Sequence, residues 1–540
     1  MEGPALCVLG AALLFLLWMF VIHLPGKCYR QTNTDGSTNS QTKALVPKPR
    51  HFLSSLFPHS VSPCLPGPPP LPLLGNIHEL TRDHLPLHLT ALARRYGNIY
   101  RLYCGNTTMV ILNSSEIIRE ALVKKWSDFA GRPHSYTGDK VSGGGQSISL
   151  GDYSEEWKTH RRLAHSALQR CTADSLHSII EKQALHLKQV LLDYNEKAVD
   201  LSEDFTVAAS NVITTLTFGK SYNKSSVELQ ELHGCLNEIV ALWGSPWITA
   251  LDSFPLLRWL PNPPFSRLMK EVARRNELIR THLEEFKVQT ECLNKGVVGK
   301  KQQKTGGKEE GTLAASLLRC LESPDGTAQK MTLTAIRMHM TIVDLLIGGT
   351  ETAAAWLSWA IAFLLHRPEV QAAVHEELRT VLQGQDPRYS DRHRLPYLCA
   401  VINEVLRLRP VAPLAVPHKA SRDSRIAGYF IPKDTVIIPN LFGAHHDPEV
   451  WSDPYSFRPE RFLDRGGGSL RALMPFGGGA RLCLGESVAK MELFLFTAYL
   501  LRDFQFMPAS QEEPLPDLRG VASVVLKAQP YRVIARPRAK

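Results

Sequence analysis

The sequence predicts a mainly α-helical fold with small β-sheets, and three observations carry that prediction. Apolar residues recur at helical spacing from Glu155 to about Gln289. The stretch from Met331 to His366, "MTLTAIRMHMTIVDLLIGGTETAAAWLSWAIAFLLH", continues a helical pattern without a proline, and Asp344 and Glu351 interrupt it too much for a membrane span. β-type residues are confined to short runs beside turn signals, "NIYRLYCGNTTMVILNS" and "SRIAGYFIPKDTVIIPN", each with the pattern of a hairpin. The chain has no internal repeat, and 540 residues with 44% hydrophobic content suffice for a large core.

From the N-terminus, residues 4–25 form an uncharged apolar run close to the ~20 residues that span a bilayer, read as a transmembrane anchor rather than a cleaved signal because Glu2 replaces a basic leader. Lys27, Arg30, Lys43, Lys48 and Arg50 follow the run, so the positive-inside rule leaves the remaining chain in the cytoplasm. Residues 26–62 read as a polar linker, 63–76 as a proline-rich hinge and 77–540 as one catalytic domain. "NKGVVGKKQQKTGGKEEG" reads as a surface loop. Ten cysteines without CxxC pairs fit a reducing compartment. Lys+Arg 62 against Asp+Glu 52 gives a net charge of +10, without the dense basic runs or basic-aromatic module of a nucleic-acid binder.

Chemistry concentrates in "MPFGGGARLCLGESVAK". Its glycines permit close approach to something flat, and a helix opening just after Cys483 would favour a thiolate there through its amides and dipole. A dinucleotide-binding reading of the glycines fails, because no strand precedes them. Phe476, Gly479, Arg481, Cys483 and Gly485 give F-x-x-G-x-R-x-C-x-G, which resembles the haem-binding loop of the cytochrome P-450 superfamily. That resemblance implies iron protoporphyrin IX (haem b), with Cys483 as the iron's axial ligand, Phe476 shielding the sulfur and Arg481 pairing with a propionate.

Three further motifs occur in the order the resemblance requires. Glu404 and Arg407 of "EVLRLRP" share one helix face and, with Arg461 of "FRPERF", match the family's structural triad. Trp157 and Arg161 of "EEWKTHRR" match a W-x-x-x-R helix whose indole and guanidinium face a propionate, with Arg162 as an alternative cation. "GGTET", Gly348 to Thr352, resembles the oxygen-activating motif, in which Thr352 would bond dioxygen and Glu351 would feed protons inward. Adjacent glycines in mid-helix each cost about 1 kcal/mol relative to alanine and need either close approach of a ligand or helix packing as their reason. Ala353 stands where the family commonly has a second hydroxyl.

The resemblance implies the haem-thiolate monooxygenase fold, electrons from NADPH through a flavoprotein reductase, contact with membrane lipid and a place on the endoplasmic-reticulum membrane. "VKKWSDFAGRP", "SLGDYSEEWK" and "EVLRLRPVAPLAVPHKA" resemble the microsomal steroid-hydroxylating branch. This implies hydroxylation at carbon 21 of progesterone and its 17-hydroxy derivative, in corticosteroid biosynthesis. A branch oxidising carbon 17 is the alternative, and a noncatalytic membrane haem-thiolate protein is a third class. By the same resemblance Arg132 and His418 would join the propionate contacts. Arg275 would donate to the steroid's 3-keto oxygen, while Trp243, Val343, Asp344, Ala412 and Val416 would line the pocket.

Overall fold

The computed structural model describes residues 65–538, apart from 73, 106, 295–310, 323–332 and 464–467. The expected anchor, polar linker and most of the surface loop lie outside the described residues. Among the described residues, no helix is long and apolar enough to cross a membrane.

The fold is mostly helical with small sheets, as the sequence predicts. The periodic stretch after Glu155 divides into α1 (Glu155–Asp193), α2 (Ser202–Phe218), α3 (Val227–Trp243), a short helix (Pro246–Ser253) and α4 (Pro263–Asn294). Serines begin α1 and α3: the Oγ atoms of Ser154 and Ser226 accept from the amides of Trp157 and Leu229, as N-caps do. Gly219 ends α2 at φ 74°, a left-handed conformation that suits glycine. The long central helix is α5 (Ala335–His366), capped by Thr334, and its C-terminal half is almost wholly buried, with Trp356 and Trp359 in the main core. Helices α6 (Pro396–Leu408) and α7 (Glu486–Asp503) pack against it.

The first expected hairpin forms from β1 (Ile99–Cys104) and β2 (Thr107–Leu112), in antiparallel register Ile99↔Leu112 to Cys104↔Thr107. The second expected hairpin is split. Ser424–Ile426 and Tyr429–Ile431 pair across Ala427 and Gly428, both at positive φ, a turn that matches strand twist. The following "VIIP" leaves that pair. With β3 being His418–Lys419 and β4 Val436–Pro439, β4 runs parallel to β2 and antiparallel to β3, giving the order β1-β2-β4-β3. The proline-rich run docks on this sheet: Pro66 O accepts from Arg101 N at 2.8 Å, and Asn76 Nδ2 donates to Pro69 O at 3.1 Å while its Oδ1 accepts from Tyr103 N at 2.9 Å.

The triad read from the sequence is present and buried. Arg407 Nε and Nη2 lie 2.7 and 2.8 Å from the two carboxylate oxygens of Glu404, and Arg461 Nε lies 3.2 Å from Glu404 Oε1. Arg407 Nη1 also donates to the carbonyls of His445 and Pro454, at 2.8 and 2.7 Å. The amide of Met474 donates to His445 Nε2 at 3.0 Å, which ties the triad to the start of the cysteine loop. Burial and the Arg407 cation push His445 down to about 3, so its ring is neutral.

Two outcomes follow from this packing. Glu404→Gln should cost about 3–5 kcal/mol in denaturant unfolding because it leaves a buried guanidinium uncompensated, whereas Arg458→Ala, whose partner Asp453 is exposed, should cost at most ~1 kcal/mol. Equal losses would contradict the triad's structural role. Between pH 3 and 6.5 the unfolded state binds a proton at His445 that the native state does not, so stability rises with pH through this window and is lost on acidification. Melts at pH 7.5 and 5.5 should differ by about 1.4 kcal/mol more in the parent than in His445→Gln.

Candidate functional site

The cysteine loop is pressed against the helical turn Glu120–Lys124. A Cβ on Gly479 would stand 1.7 Å from Leu122 O, and Gly479 has φ 66°, so both space and conformation require glycine there. Cys483 N donates to Phe476 O at 3.0 Å, closing the loop just before α7, and Phe476 packs on the main core. Cys483 is exposed, yet enough protein surrounds its sulfur to desolvate it. Its thiol does not follow the expectation of a helix-stabilised thiolate. Burial, reinforced by Glu486, pushes it up and outweighs the Gly485 amide and Arg161. A thiolate here therefore needs a positive partner at the sulfur, as a metal provides.

Cations converge on the adjoining wall. Arg481 donates from Nε to Ala130 O at 2.8 Å, from Nη1 to Ile148 O at 3.1 Å and from Nη2 to Gly151 O at 2.8 Å, and lies 3.7 Å over the Trp157 ring. Arg132 is buried and donates to Ser149 O at 2.8 Å and to Val416 and Pro417 O at 3.0 and 2.8 Å. Arg161 stacks over Trp157 at 5.6 Å and donates to Leu482 O. The Trp157 indole N–H donates to Ile148 O at 2.9 Å, so it is the ring face, not the N–H, that meets these cations. Arg162 is exposed. Burial first, then mutual repulsion, holds Arg132 and Arg481 below the ordinary guanidinium range. His418 Nδ1 lies 2.8 Å from Phe129 O, and burial beside Arg132 and Arg481 keeps this ring neutral. Asp152 pairs with Lys419 at 2.7 Å and also acts on Arg132 and Arg481, so the cluster keeps an excess of positive charge. Such a cluster suits a bidentate anion.

On α5 the two glycines have different reasons. A Cβ on Gly349 would meet Ile213 Cγ1 of α2 at 2.3 Å, so Gly349 serves helix packing. Gly348 is exposed in mid-helix, and a Cβ there would meet nothing within 4 Å, so it opens on free space. Thr352 Oγ1 donates back to Gly348 O, and Glu351 is ion-paired with Lys527. Thr350, buried, accepts from Ser210 Oγ at 3.2 Å, and Ser210 also bonds His233 Nε2, a polar thread reaching inward from α3.

The family model of Cytochrome P450 matches residues 65–535 of this chain. The chain belongs to the cytochrome P450 family. Human steroid 21-hydroxylase is 41% identical over 473 residues, 86% of this chain and 92% of that protein, and the bovine protein of the same name is 40% identical over 86% and 91%. Of the solved structures, a zebrafish cytochrome P450 with progesterone has a TM-score of 0.72 at 34% identity, covering 84% of this chain and 99% of that one. A zebrafish P450 structure with abiraterone has the same TM-score and identity, over 85% and 100%. The P450 fold implies a haem-thiolate cofactor, and the residues fit it: an anion-poor arginine cluster for carboxylate groups, an open helix face at Gly348 and an open thiol at Cys483.

The substrate-side candidates of this P450 fall into two groups. Arg275 and Trp243 both grip the helix Tyr136–Val141: Arg275 Nη2 donates to Val141 O at 2.9 Å and Trp243 Nε1 to Thr137 Oγ1 at 3.1 Å. Arg275 is fully buried, burial pushes it down to about 10, and its Nη1 has no hydrogen-bond partner. Asp344, expected to line the pocket, has its carboxylate engaged by a neighbouring loop. Its Oδ2 accepts from the amides of Ile148 and Ser149, at 2.7 and 3.2 Å, and its Oδ1 from Ser149 Oγ at 2.6 Å, so it anchors the loop that carries the arginine-binding carbonyls. Val343 is buried, Ala412 half-buried and Val416 exposed. Sequence reasoning missed Ser210, His233 and Lys527, which carry no local motif.

Gly349→Ala should destabilise the protein by about 1–3 kcal/mol through overpacking against Ile213, while Gly348→Ala should be neutral or stabilising by up to ~1 kcal/mol in the absence of ligand. Thermal unfolding of the two variants checks this, and equal losses would remove the distinction.

Proposed function

We propose that this chain is a steroid 21-monooxygenase: it hydroxylates carbon 21 of progesterone and 17-hydroxyprogesterone with dioxygen and electrons delivered from NADPH by a flavoprotein reductase. The 41% identity to a steroid 21-hydroxylase over 86% of the chain supports this substrate class. The observation that carries it is the unpartnered Nη1 of the fully buried Arg275, because the 3-keto oxygen of an otherwise apolar steroid would complete it. The neighbouring Asn276 meets His339 of α5 at 3.3 Å, which sets Arg275 beside the part of that helix N-terminal to the oxygen-activating motif.

The net reaction converts a C–H bond, dioxygen, two electrons and two protons into a C–OH bond and water. Cys483 would hold the haem iron, while Arg161 and Arg481, stacked on Trp157, and Arg132, beside the neutral His418, would hold its propionates; the haem would supply oxygen activation, which a thiolate ligand favours. Arg275 binds the 3-keto end and Trp243 packs on the rings, so the carbon-21 end faces α5. Thr352 exchanges its bond to Gly348 O for one that orients a proton, and Glu351 must leave Lys527 to carry protons from solvent. The Thr350–Ser210–His233 thread offers a buried polar path beside it. Residues 4–25 would anchor the protein in the endoplasmic-reticulum membrane with the catalytic domain in the cytoplasm.

The decisive experiment is product identification by mass spectrometry after reconstitution with membrane, reductase, NADPH and progesterone. Hydroxyl at carbon 21 is expected. Hydroxyl at carbon 17 would favour the alternative branch, and a haem-loaded protein that makes no product would overturn the monooxygenase reading for this substrate. Arg275→Gln should weaken progesterone binding by about 1.5–3 kcal/mol, ~10- to 150-fold in Kd, while Cys483→Ser should abolish the thiolate-type carbon monoxide spectrum.

A further inference from the structure

Away from the haem site, three metal-ligating side chains meet where the start of α3 crosses α4. Glu228 lies in the first turn of α3, and His282 and Glu285 lie three residues apart on one face of α4. One ligand atom from each falls within 4.8 Å of the others. His282 Nδ1 is 3.0 Å from Glu228 Oε1 and 4.0 Å from Glu285 Oε2.

His282 is the informative member. Its side chain is 5% exposed, and its Nδ1 has no aligned hydrogen-bond partner in spite of the carboxylate beside it. Burial lowers its proton affinity, and Lys220 works in the same direction against the two carboxylates. A neutral ring nitrogen aimed at two anions is an unsatisfied arrangement: unprotonated, its lone pair faces negative charge, and protonated, its N–H is misdirected. The positive charge now present is the Lys220 ammonium, 2.7 Å from Glu285 Oε2 and 3.9 Å from Glu228 Oε1, on a partly exposed and flexible stem. Tyr222 OH donates to Glu228 Oε1 at 3.1 Å and holds that carboxylate toward the cluster, while the Phe218 ring, 5.5 Å away, covers the imidazole. An imidazole nitrogen with two carboxylates matches a borderline divalent cation, and two anions balance its charge. Ligands ~2.0–2.1 Å from a tetrahedral Zn²⁺ stand about 3.3 Å apart, which His282 and Glu228 already approach and the exposed Glu285 reaches by a side-chain rotation.

We infer that Glu228, His282 and Glu285 form a Zn²⁺-type divalent metal site, entered from solvent as Lys220 swings away, that clamps α3 to α4. Those helices carry Trp243 and Arg275, so occupancy stiffens the elements proposed to hold the substrate. The metal site itself does not depend on that proposal.

The test is calorimetric titration of Zn²⁺ into chelator-treated, haem-loaded full chain, with Mg²⁺ as control. One Zn²⁺ per chain should bind, at least ~10-fold more weakly in His282→Gln and in Glu228→Gln/Glu285→Gln, and more tightly in Lys220→Met, with the carbon monoxide spectrum unchanged throughout. Zn²⁺ should also raise the melting temperature of the parent and not that of the double carboxylate variant. Unchanged affinity in the carboxylate variant, which alters only partly exposed side chains and remains decisive if His282→Gln fails to fold, would overturn the assignment. Weaker binding in Lys220→Met would overturn the proposed entry.

Discussion

The buried carboxylate of Glu404 is the constraint from which the haem-side architecture is built. It orders two guanidiniums, and Arg407 then extends that order by gripping the carbonyls of His445, at the end of the short helix Leu441–His445, and of Pro454 and Ser456 on the irregular segment that follows. Such a segment has backbone polar groups that need partners, and a single planar cation with five donors can satisfy several at once. His445 passes the order onward. Because its ring stays neutral, Nε2 is free to accept the amide of Met474, and the cysteine loop starts from a fixed point. Desolvating an ion pair is expensive, and its return here is specification of a long irregular segment rather than stability as such.

The haem-facing side is electrostatically incomplete in a consistent way. Three arginines share backbone carbonyls around Trp157 and repel one another, while a thiol some residues away is held protonated by its surroundings. Each imbalance has the sign opposite to one part of a haem: carboxylates for the arginines, a metal cation for the sulfur. Arg275, proposed to meet the substrate, is likewise a charged group with one donor left over in a fully buried place. The polypeptide carries the desolvation cost in advance, so ligand groups arrive at partners already positioned, which is what preorganisation means physically.

Much of this was legible in the sequence, because local motifs encode local geometry. The i, i+3 spacing of Glu404 and Arg407 placed them on one face, and the glycine run before Cys483 announced a close approach, met by Leu122. What stayed hidden depends on long-range contacts. Nothing local in "VIIP" says that it pairs in parallel with β2, more than three hundred residues earlier, instead of completing a hairpin. Asp344 was expected to line the pocket by resemblance alone, which carries no information about the loop at Ile148 and Ser149 that takes its carboxylate. The Cys483 thiol defied the dipole argument because burial acts on the whole side chain, whereas the helix end contributes one amide. Ser210 and His233 matter only through Thr350, a relation between three helices that no window of sequence contains.

The five residues Gly348 to Thr352 show why one short helical segment can serve several tasks. At 3.6 residues per turn, five consecutive positions sweep the entire circumference of α5, so no two neighbours address the same surroundings. Gly348 opens on free space, Gly349 admits Ile213 of α2, Thr350 meets Ser210, Glu351 reaches Lys527 near the C-terminus, and Thr352 turns back to Gly348 O. The acid and the hydroxyl proposed to manage protons are therefore held by different parts of the protein. Glu351 answers to a C-terminal strand and Thr352 to its own helix, so a change at the strand can alter proton supply without disturbing the group that receives it. The same geometry separates the paired glycines: Gly349 is required by packing against Ile213, whereas Gly348 faces open space where a Cβ would meet nothing.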